Sequence, residues 1–223
     1  RAADPHEPVW TWAPQKDGLF TLFAVFAGFI APYDYSAQSR AEPSAPSTRI
    51  HFSGLTPIIH RRRVEDALHR TYTEDTLIAF PVALFVRGYS YKLLGIAKTD
   101  VHLFGARSSS GIAPRINLLG TDQLGRDRFS RLLYAMRFSL IVALMGVLAA
   151  CVVGISIGAV SGYAGRLGDT FLMGATDAML ALPTLILILG VRAAFPLELP
   201  MIRAALLLLL IFALTGWAEM ARL

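Results

Sequence analysis

Residues 138–163 carry no charged side chain, and within them Gly146, Ala150, Gly154, Gly158 and Gly162 recur four apart. At 1.5 Å per residue a helix of this length covers about 39 Å, enough to cross the hydrocarbon core of a bilayer with some tilt. Positions four apart share one face of a helix, so the five small residues form a continuous stripe. In lipid, apolar side chains gain little by leaving the solvent for a neighbour. A face without bulk instead lets a second backbone approach closely and gain dispersion contacts. A helix standing alone has no use for such a stripe, so several spans packed together are expected.

Composition agrees. Only 17% of the 223 residues are charged, against about a quarter in an ordinary soluble domain, and the mean hydropathy is +0.51. The charge is uneven. Residues 138–223 hold four Lys/Arg and four Asp/Glu, whereas residues 33–137 hold fifteen and nine. The one dense basic run is Arg61-Arg62-Arg63, with no nucleic-acid motif around it, so a basic region meeting lipid headgroups or an acidic partner is preferred to nucleic acid. The single cysteine, Cys151, lies in the apolar run and reads as a small packing residue; no Cys/His cluster has metal-ligand spacing, and no metal site is expected. The chain opens on Arg1 rather than Met and is expected to be a fragment.

Taken in order, residues 1–17 form a polar tail in which Trp10 and Trp12 fit either an interfacial anchor or an ordinary tail. Residues 18–32 are apolar but short of the roughly 20 residues a span needs. A short first span is preferred there, with a cleaved signal peptide as the alternative. Residues 33–118 read as an extracytoplasmic insertion, α+β or irregular, with a short helix over 64–71 and two strands hinged at Arg87-Gly88.

Residues 119–137 read as a turn followed by an interfacial helix. Gly120 and Gly125 permit tight turns, and Asp127 can accept the orphan N–H groups of a helix start. Phe129, Leu132, Leu133, Met136 and Leu140 then recur at helical spacing, with Arg128 and Arg131 off that stripe. Beyond 138–163, a third span is expected over about 170–194 and a fourth over about 201–218. In the third, Asp177 is an ionisable group at depth. It is either a functional group or a carboxylate bonding a neighbouring helix. Pro183 is expected to kink that helix. With the N-terminus inside, the insertion lies outside and residue 223 inside.

Two motifs imitate chemistry. Gly120-Thr-Asp-Gln-Leu-Gly125-Arg126-Asp127 has the spacing of a phosphate loop, but Arg126 and Asp127 stand where Lys and Ser/Thr are needed, and a carboxylate repels phosphate. Gly154-Ile-Ser-Ile-Gly158 has the spacing of a nucleophile elbow, but it sits within the apolar run, and the last histidine is His102. No catalytic constellation is found.

The run Leu119-Gly-Thr-Asp-Gln-Leu-Gly-Arg-Asp127, with Ser130-Arg-Leu-Leu-Tyr134 and Ser139-Leu140, resembles the C-type permease subunits of ATP-binding-cassette importers for dipeptides, oligopeptides and nickel. Ala31-Pro-Tyr-Asp34, Gly158 with Ser161-Gly-Tyr163, Asp177 with Ala181-Leu-Pro183, and Thr215-Gly-Trp217 with Ala221-Arg222 match the same family. The resemblance implies a multi-pass subunit of the bacterial cytoplasmic (inner) membrane. It would pair with a second permease subunit, two ABC ATPases and an extracytoplasmic substrate-binding protein. ATP and Mg would be bound by the partner subunits, with no cofactor in this chain, which would not itself be an enzyme. Family members carry a cytoplasmic coupling helix after the fourth span, and this sequence stops just before its place.

The sequence therefore predicts an all-α multi-span membrane bundle with about four spans and an outside insertion. Residues 138–223 are its incomplete permease core. The expected family motif is Gly120, Thr121, Asp122, Gly125, Arg126 and Asp127. The expected packing stripe is Gly146, Ala150, Gly154, Gly158 and Gly162, and Asp177 and Pro183 are candidates for a translocation path. The expected function is peptide import. A metal-ion or sugar importer permease is a near alternative, and a membrane-anchored receptor or scaffold working through residues 33–117 is one of a different class.

Overall fold

The computed structural model describes residues 14–66, 68–93, 95–108, 113–196 and 198–222. Trp10 and Trp12 lie outside them. In chain order the elements are α1 (Pro14–Val25), α2 (Ala27–Ile30), β1 (His51–Ser53), β2 (Thr56–Asp66), β3 (Thr71–Leu93), β4 (Ala97–Ala106), α3 (Arg128–Tyr163), α4 (Gly165–Ala181), α5 (Thr184–Ala193) and α6 (Met201–Ala221). They fall into two compact units divided between Phe138 and Ser139.

The expected all-α bundle of about four spans does not hold. Among the described residues the fold is α+β, with a four-stranded antiparallel sheet. Two helices, α3 and α6, are long and apolar enough to cross a membrane, or three if the bent pair α4 and α5 is one span. The first apolar run fails on length. α1 has 12 residues, about 18 Å, and the helical path is interrupted at Phe26 before the four residues of α2. The third is broken at Leu182-Pro183. A residue before proline is pushed out of the helical region. Leu182 accordingly lies at ψ 129° and Pro183 at ψ 119°, so the expected kink is a complete break with an 85° bend.

In the first unit the strands run β1-β2-β3-β4 in sequence order, all antiparallel. Two expectations fail here. The described residues of 64–71 do not form the expected helix: Val64 continues β2 opposite Tyr72, and Thr71 opens β3 opposite Asp66. Nor does the chain turn at Arg87-Gly88. β3 runs through that point for 23 residues, with a register shift between Arg87 and Tyr91. Cross-strand partners decide both points. Arg61 faces Asp75 and Arg62 faces Glu74, pairings that stabilise a ladder and that no local window can show. β3 is shared: residues up to Pro81 pair with β2, and residues from Val82 pair with β4. Two arginines of the basic run turn onto the fold. Arg62 bonds Glu42 at 3.2 Å, and the Arg61 guanidinium lies 5.6 Å from the Phe80 ring centroid.

Two apolar clusters hold this unit. Ile59, Phe80 and Ile116 join the sheet to the irregular segment before the signature run. Ala27, Ile30, Ala31 and Leu133 join α2 to the first turns of α3, with Phe23, Phe29, Leu103 and Phe129 around them. Buried His102 links α2 to the sheet: its ring nitrogens lie 3.1 Å from the Gly28 carbonyl oxygen and 3.0 Å from that of Tyr89.

In the second unit α6 lies along the small-residue stripe of α3. A Cβ on Gly146 would sit 2.7 Å from the Phe212 Cβ. One on Gly154 would meet the Met220 Cβ at 2.5 Å and the Trp217 carbonyl oxygen at 2.6 Å, and one on Gly158 would meet the Ala221 oxygen at 2.8 Å. Gly216 of α6 approaches Ala150, while nothing lies near Gly162. The buried face of α6 answers the stripe with Leu207, Ile211, Ala218 and Ala221, a helical spacing.

Gly154→Ala and Gly162→Ala therefore separate packing from propensity. Overpacking a tight contact costs about 1–3 kcal/mol. Thermal unfolding of the full-length protein in detergent is expected to shift down by several degrees for Gly154→Ala and not to fall for Gly162→Ala, where the added methyl meets open space.

Candidate functional site

The signature run folds into a hydrogen-bonded knot against residues 39–48. Gly120 and Gly125 both lie at φ +70°, where side chains are strained. A Cβ on Gly120 would also strike the Ala45 carbonyl oxygen at 2.5 Å, and one on Gly125 would strike the Ser39 carbonyl oxygen. Between them the chain closes a tight loop. The Gly125 N–H donates to the Asp122 carbonyl (2.9 Å), the Asp122 N–H to the Arg126 carbonyl (3.0 Å) and the Arg128 N–H to the Gly120 carbonyl (3.1 Å).

Thr121 is buried and used fully. Its hydroxyl donates to the Glu42 carbonyl (2.6 Å) and accepts from the Ala45 N–H (2.8 Å), while its own N–H donates to the Ala45 carbonyl (2.9 Å). Asp122 gathers four donors. Its carboxylate accepts the N–H groups of Leu124 and Arg126, each at 2.9 Å, the Arg126 Nε–H at 2.7 Å, and an Arg131 guanidinium N–H. Burial pushes the Asp122 carboxyl up, but the Arg126 N–H and guanidinium and the Leu124 N–H outweigh it and hold the group below the usual carboxylate range. The arginines of the run thus turn partly onto their own loop.

Asp127 caps α3, accepting the Ser130 N–H at 2.7 Å. It is fully buried, and its other oxygen, Oδ1, has no hydrogen-bond partner among the described residues. Burial pushes its carboxyl up, opposed by the Ser130 hydrogen bonds and the Arg115 charge. The surrounding residues were not singled out in the sequence. Asn117 donates to the Glu42 carboxylate at 2.9 Å and accepts, at its backbone, the Thr48 N–H. The Tyr33 hydroxyl accepts the Ile116 N–H at 2.7 Å, and the Arg115 guanidinium lies 4.3 Å from the Tyr33 ring centroid. Burial pushes the Tyr33 hydroxyl up to about 12. Tyr33 lies in the Ala31-Pro-Tyr-Asp34 match, which was the available signal. Glu42, Thr48 and Asn117 had none, because the Asn117–Thr48 and Asn117–Glu42 bonds join residues about 70 positions apart and the Glu42–Arg62 pair joins residues 20 apart.

The second unit places the remaining candidates. Asp177 on α4 meets Arg222 at the end of α6, with 2.7 Å between Oδ1 and Nη2. Pro183 sits in the break between α4 and α5. Ser156, at the elbow-like Gly154-Ile-Ser-Ile-Gly158, is inside α3 and donates to the Val152 carbonyl at 2.6 Å, so it is no strand-to-helix nucleophile. Among the described residues no group of three or more His, Cys, Asp or Glu is placed to hold a metal.

A buried polar knot capping a long apolar helix, and a glycine face that seats another apolar helix, are the build of a membrane protein. No protein-family model matches the chain. Curated relatives do. The chain is 46% identical over 70 residues to the dipeptide transport system permease protein DppC of Haemophilus influenzae, covering 31% of this chain and 24% of that protein. It is 41% identical over 76 residues to the di/tripeptide transport system permease protein DppC of Pseudomonas aeruginosa, covering 34% and 25%. It is 28% identical over 104 residues to the oligopeptide transport system permease protein OppC of Bacillus subtilis, covering 47% and 32%. The matches span about a quarter to a third of these relatives' own length. Over those stretches the chain is similar to peptide-transport permeases.

Two substitutions at the cap separate its charge from its hydrogen bond. Asp127→Ala is expected to cost about 1 kcal/mol, the usual worth of a cap. Asp127→Asn keeps an acceptor and removes a buried charge, and is expected to unfold no earlier than the parent at neutral pH. At Asp122 the sign is opposite to that of a raised group. A depressed carboxyl stabilises above the unfolded value and loses that contribution as pH falls through its folded value. The melting-temperature gap between the parent and Asp122→Asn is therefore expected to be open at pH 7 and to close below about pH 4; a gap that widens on acidification contradicts this assignment.

Proposed function

We propose that this chain is a membrane-embedded part of a permease subunit of an ATP-driven peptide importer in the bacterial inner membrane. What carries the reading is the 46% identity to a dipeptide transport permease over 70 residues, joined by similar matches to di/tripeptide and oligopeptide permeases. The two apolar helices, and the broken pair beside them, support a place in the membrane.

In this reading the chain does no chemistry. Two partner ATPases bind ATP and Mg, and their closure rocks this bundle against that of a second permease subunit. An extracytoplasmic binding protein delivers peptide on the side of the sheet unit. The division of labour follows from how the helices are held. α3 and α6 touch backbone to backbone along the glycine stripe, so they move as one body. The pair α4 and α5 is hinged at Leu182-Pro183, where the helical hydrogen-bond ladder is interrupted. The hinged pair is the element that lines and gates the peptide path.

The test is uptake by the full-length natural protein, expressed with its neighbouring subunits in a strain that lacks dipeptide import. Labelled dipeptide is expected to accumulate, and to stop accumulating when the ATPase is inactivated. Accumulation of nickel or a sugar without peptide would move the chain to another importer class. Normal binding of a ligand by residues 33–117, with no uptake of any cargo, would favour a membrane-anchored receptor.

A further inference from the structure

α4 is lightly held by apolar contacts. Thr176 is its one buried residue among those described, Gly174 has open space beside it, and Phe171 is 77% exposed. A cleft bounded by Ile155, Gly158, Ala159, Met173, Met220 and Arg222 leaves a gap where α3, α4 and α6 come together. Polar ties add to the contact that α4 makes with α6. The Ser161 hydroxyl of α3 donates to the Asp169 carboxylate at 2.8 Å, near the start of α4. Eight residues on, about 12 Å along the axis, Asp177 takes the Arg222 guanidinium. Arg222 directly follows the last residue of α6, Ala221. Asp177 lies four residues before the last residue of α4 and thus just ahead of the Leu182-Pro183 break.

We propose that Asp177 and Arg222 form a clamp that fixes the end of α4 to the end of α6 and so sets the position of the broken helix, with Asp177 acting as a positioning residue rather than by touching cargo. In water a half-exposed pair such as this is worth little. Here each charge lies at an apolar helix, and removing either one leaves the other without its counter-ion, so the pair holds wherever the break would let α4 drift. The clamp stands on geometry; only the uptake arm of its test rests on the transport reading.

The test uses the full-length protein in lipid nanodiscs with its partner subunits, Cys151 replaced by Ser, and spin labels on Phe171→Cys and Leu210→Cys, two exposed sites on α4 and α6. One narrow distance peak is expected for the parent. Asp177→Asn and Arg222→Gln are each expected to lose it to a broad distribution, and the reversed pair Asp177→Arg with Arg222→Asp to regain it together with peptide uptake. If the reversed pair does not accumulate, Arg222→Lys, which keeps the cation, decides: a peak kept with Lys and lost with Gln supports the clamp. A narrow peak in both neutral single variants, or a peak lost equally with Lys and Gln, overturns it. A regained peak without regained uptake overturns the positioning role and assigns the Asp177 carboxylate to the cargo. If the parent imports no peptide but the distances behave as stated, the transport reading fails and the clamp stands.

Discussion

Apolar helices in lipid gain little by burying leucine against leucine, because the lipid tails are as apolar as the partner. What can hold such helices together is the closeness of their backbones. In this chain that closeness is set by the missing side chains at Gly146, Gly154 and Gly158, which put Phe212, Trp217, Met220 and Ala221 of α6 where a Cβ would otherwise be. The rest of the second unit depends on that contact. α6 carries Arg222 to the place where it meets Asp177. Among the described residues nothing lies within 4 Å of a Cβ built on Gly162.

The first unit solves a different problem. Its polar groups are buried and must be paired. Thr121, Asp122 and one oxygen of Asp127 do this by binding the backbone of residues 42–45, their own loop and the first turn of α3. Donors aimed inward at one carboxylate, with two glycines at positive φ, leave the loop little room for a ligand. The similarity of spacing to a phosphate loop is then understandable. Both need glycines where the backbone turns sharply, but here the turn is filled by the protein's own Ser39 and Ala45 carbonyls.

Local chemistry made part of this legible in the sequence. The turn at Gly120 and Gly125 and the cap at Asp127 each depend on residues within a few positions of one another; of the expected stripe, Gly146, Gly154 and Gly158 meet α6 and Gly162 meets nothing among the described residues. Distant partners were not legible. Residues 64–71 look helical alone, yet Val64 pairs with Tyr72 and Arg62 with Glu74 in a ladder. Arg87-Gly88 looks like a turn, yet β3 continues through it because β4 supplies partners on both sides. Pro183 was visible, but whether a proline kinks or breaks a helix depends on what holds the two halves. Here Leu182 and Pro183 both adopt extended geometry. Asp177 was visible as an ionisable group in an apolar setting, whereas its partner lies 45 residues away at the end of another helix.

The most direct measurement is oxidative cross-linking of Ala150→Cys with Gly216→Cys in the full-length protein in native membranes, with Cys151 replaced by Ser. The Ala150 Cβ lies 3.0 Å from where a Cβ on Gly216 would be, and a small relaxation brings this into the range a disulfide accepts, about 3.5–4.5 Å. If α6 is seated on the stripe of α3 within one chain, a rapid intramolecular bond forms. If the stripe serves a helix from another subunit, the pair stays reduced or links two chains, and the packing described for the second unit is contradicted.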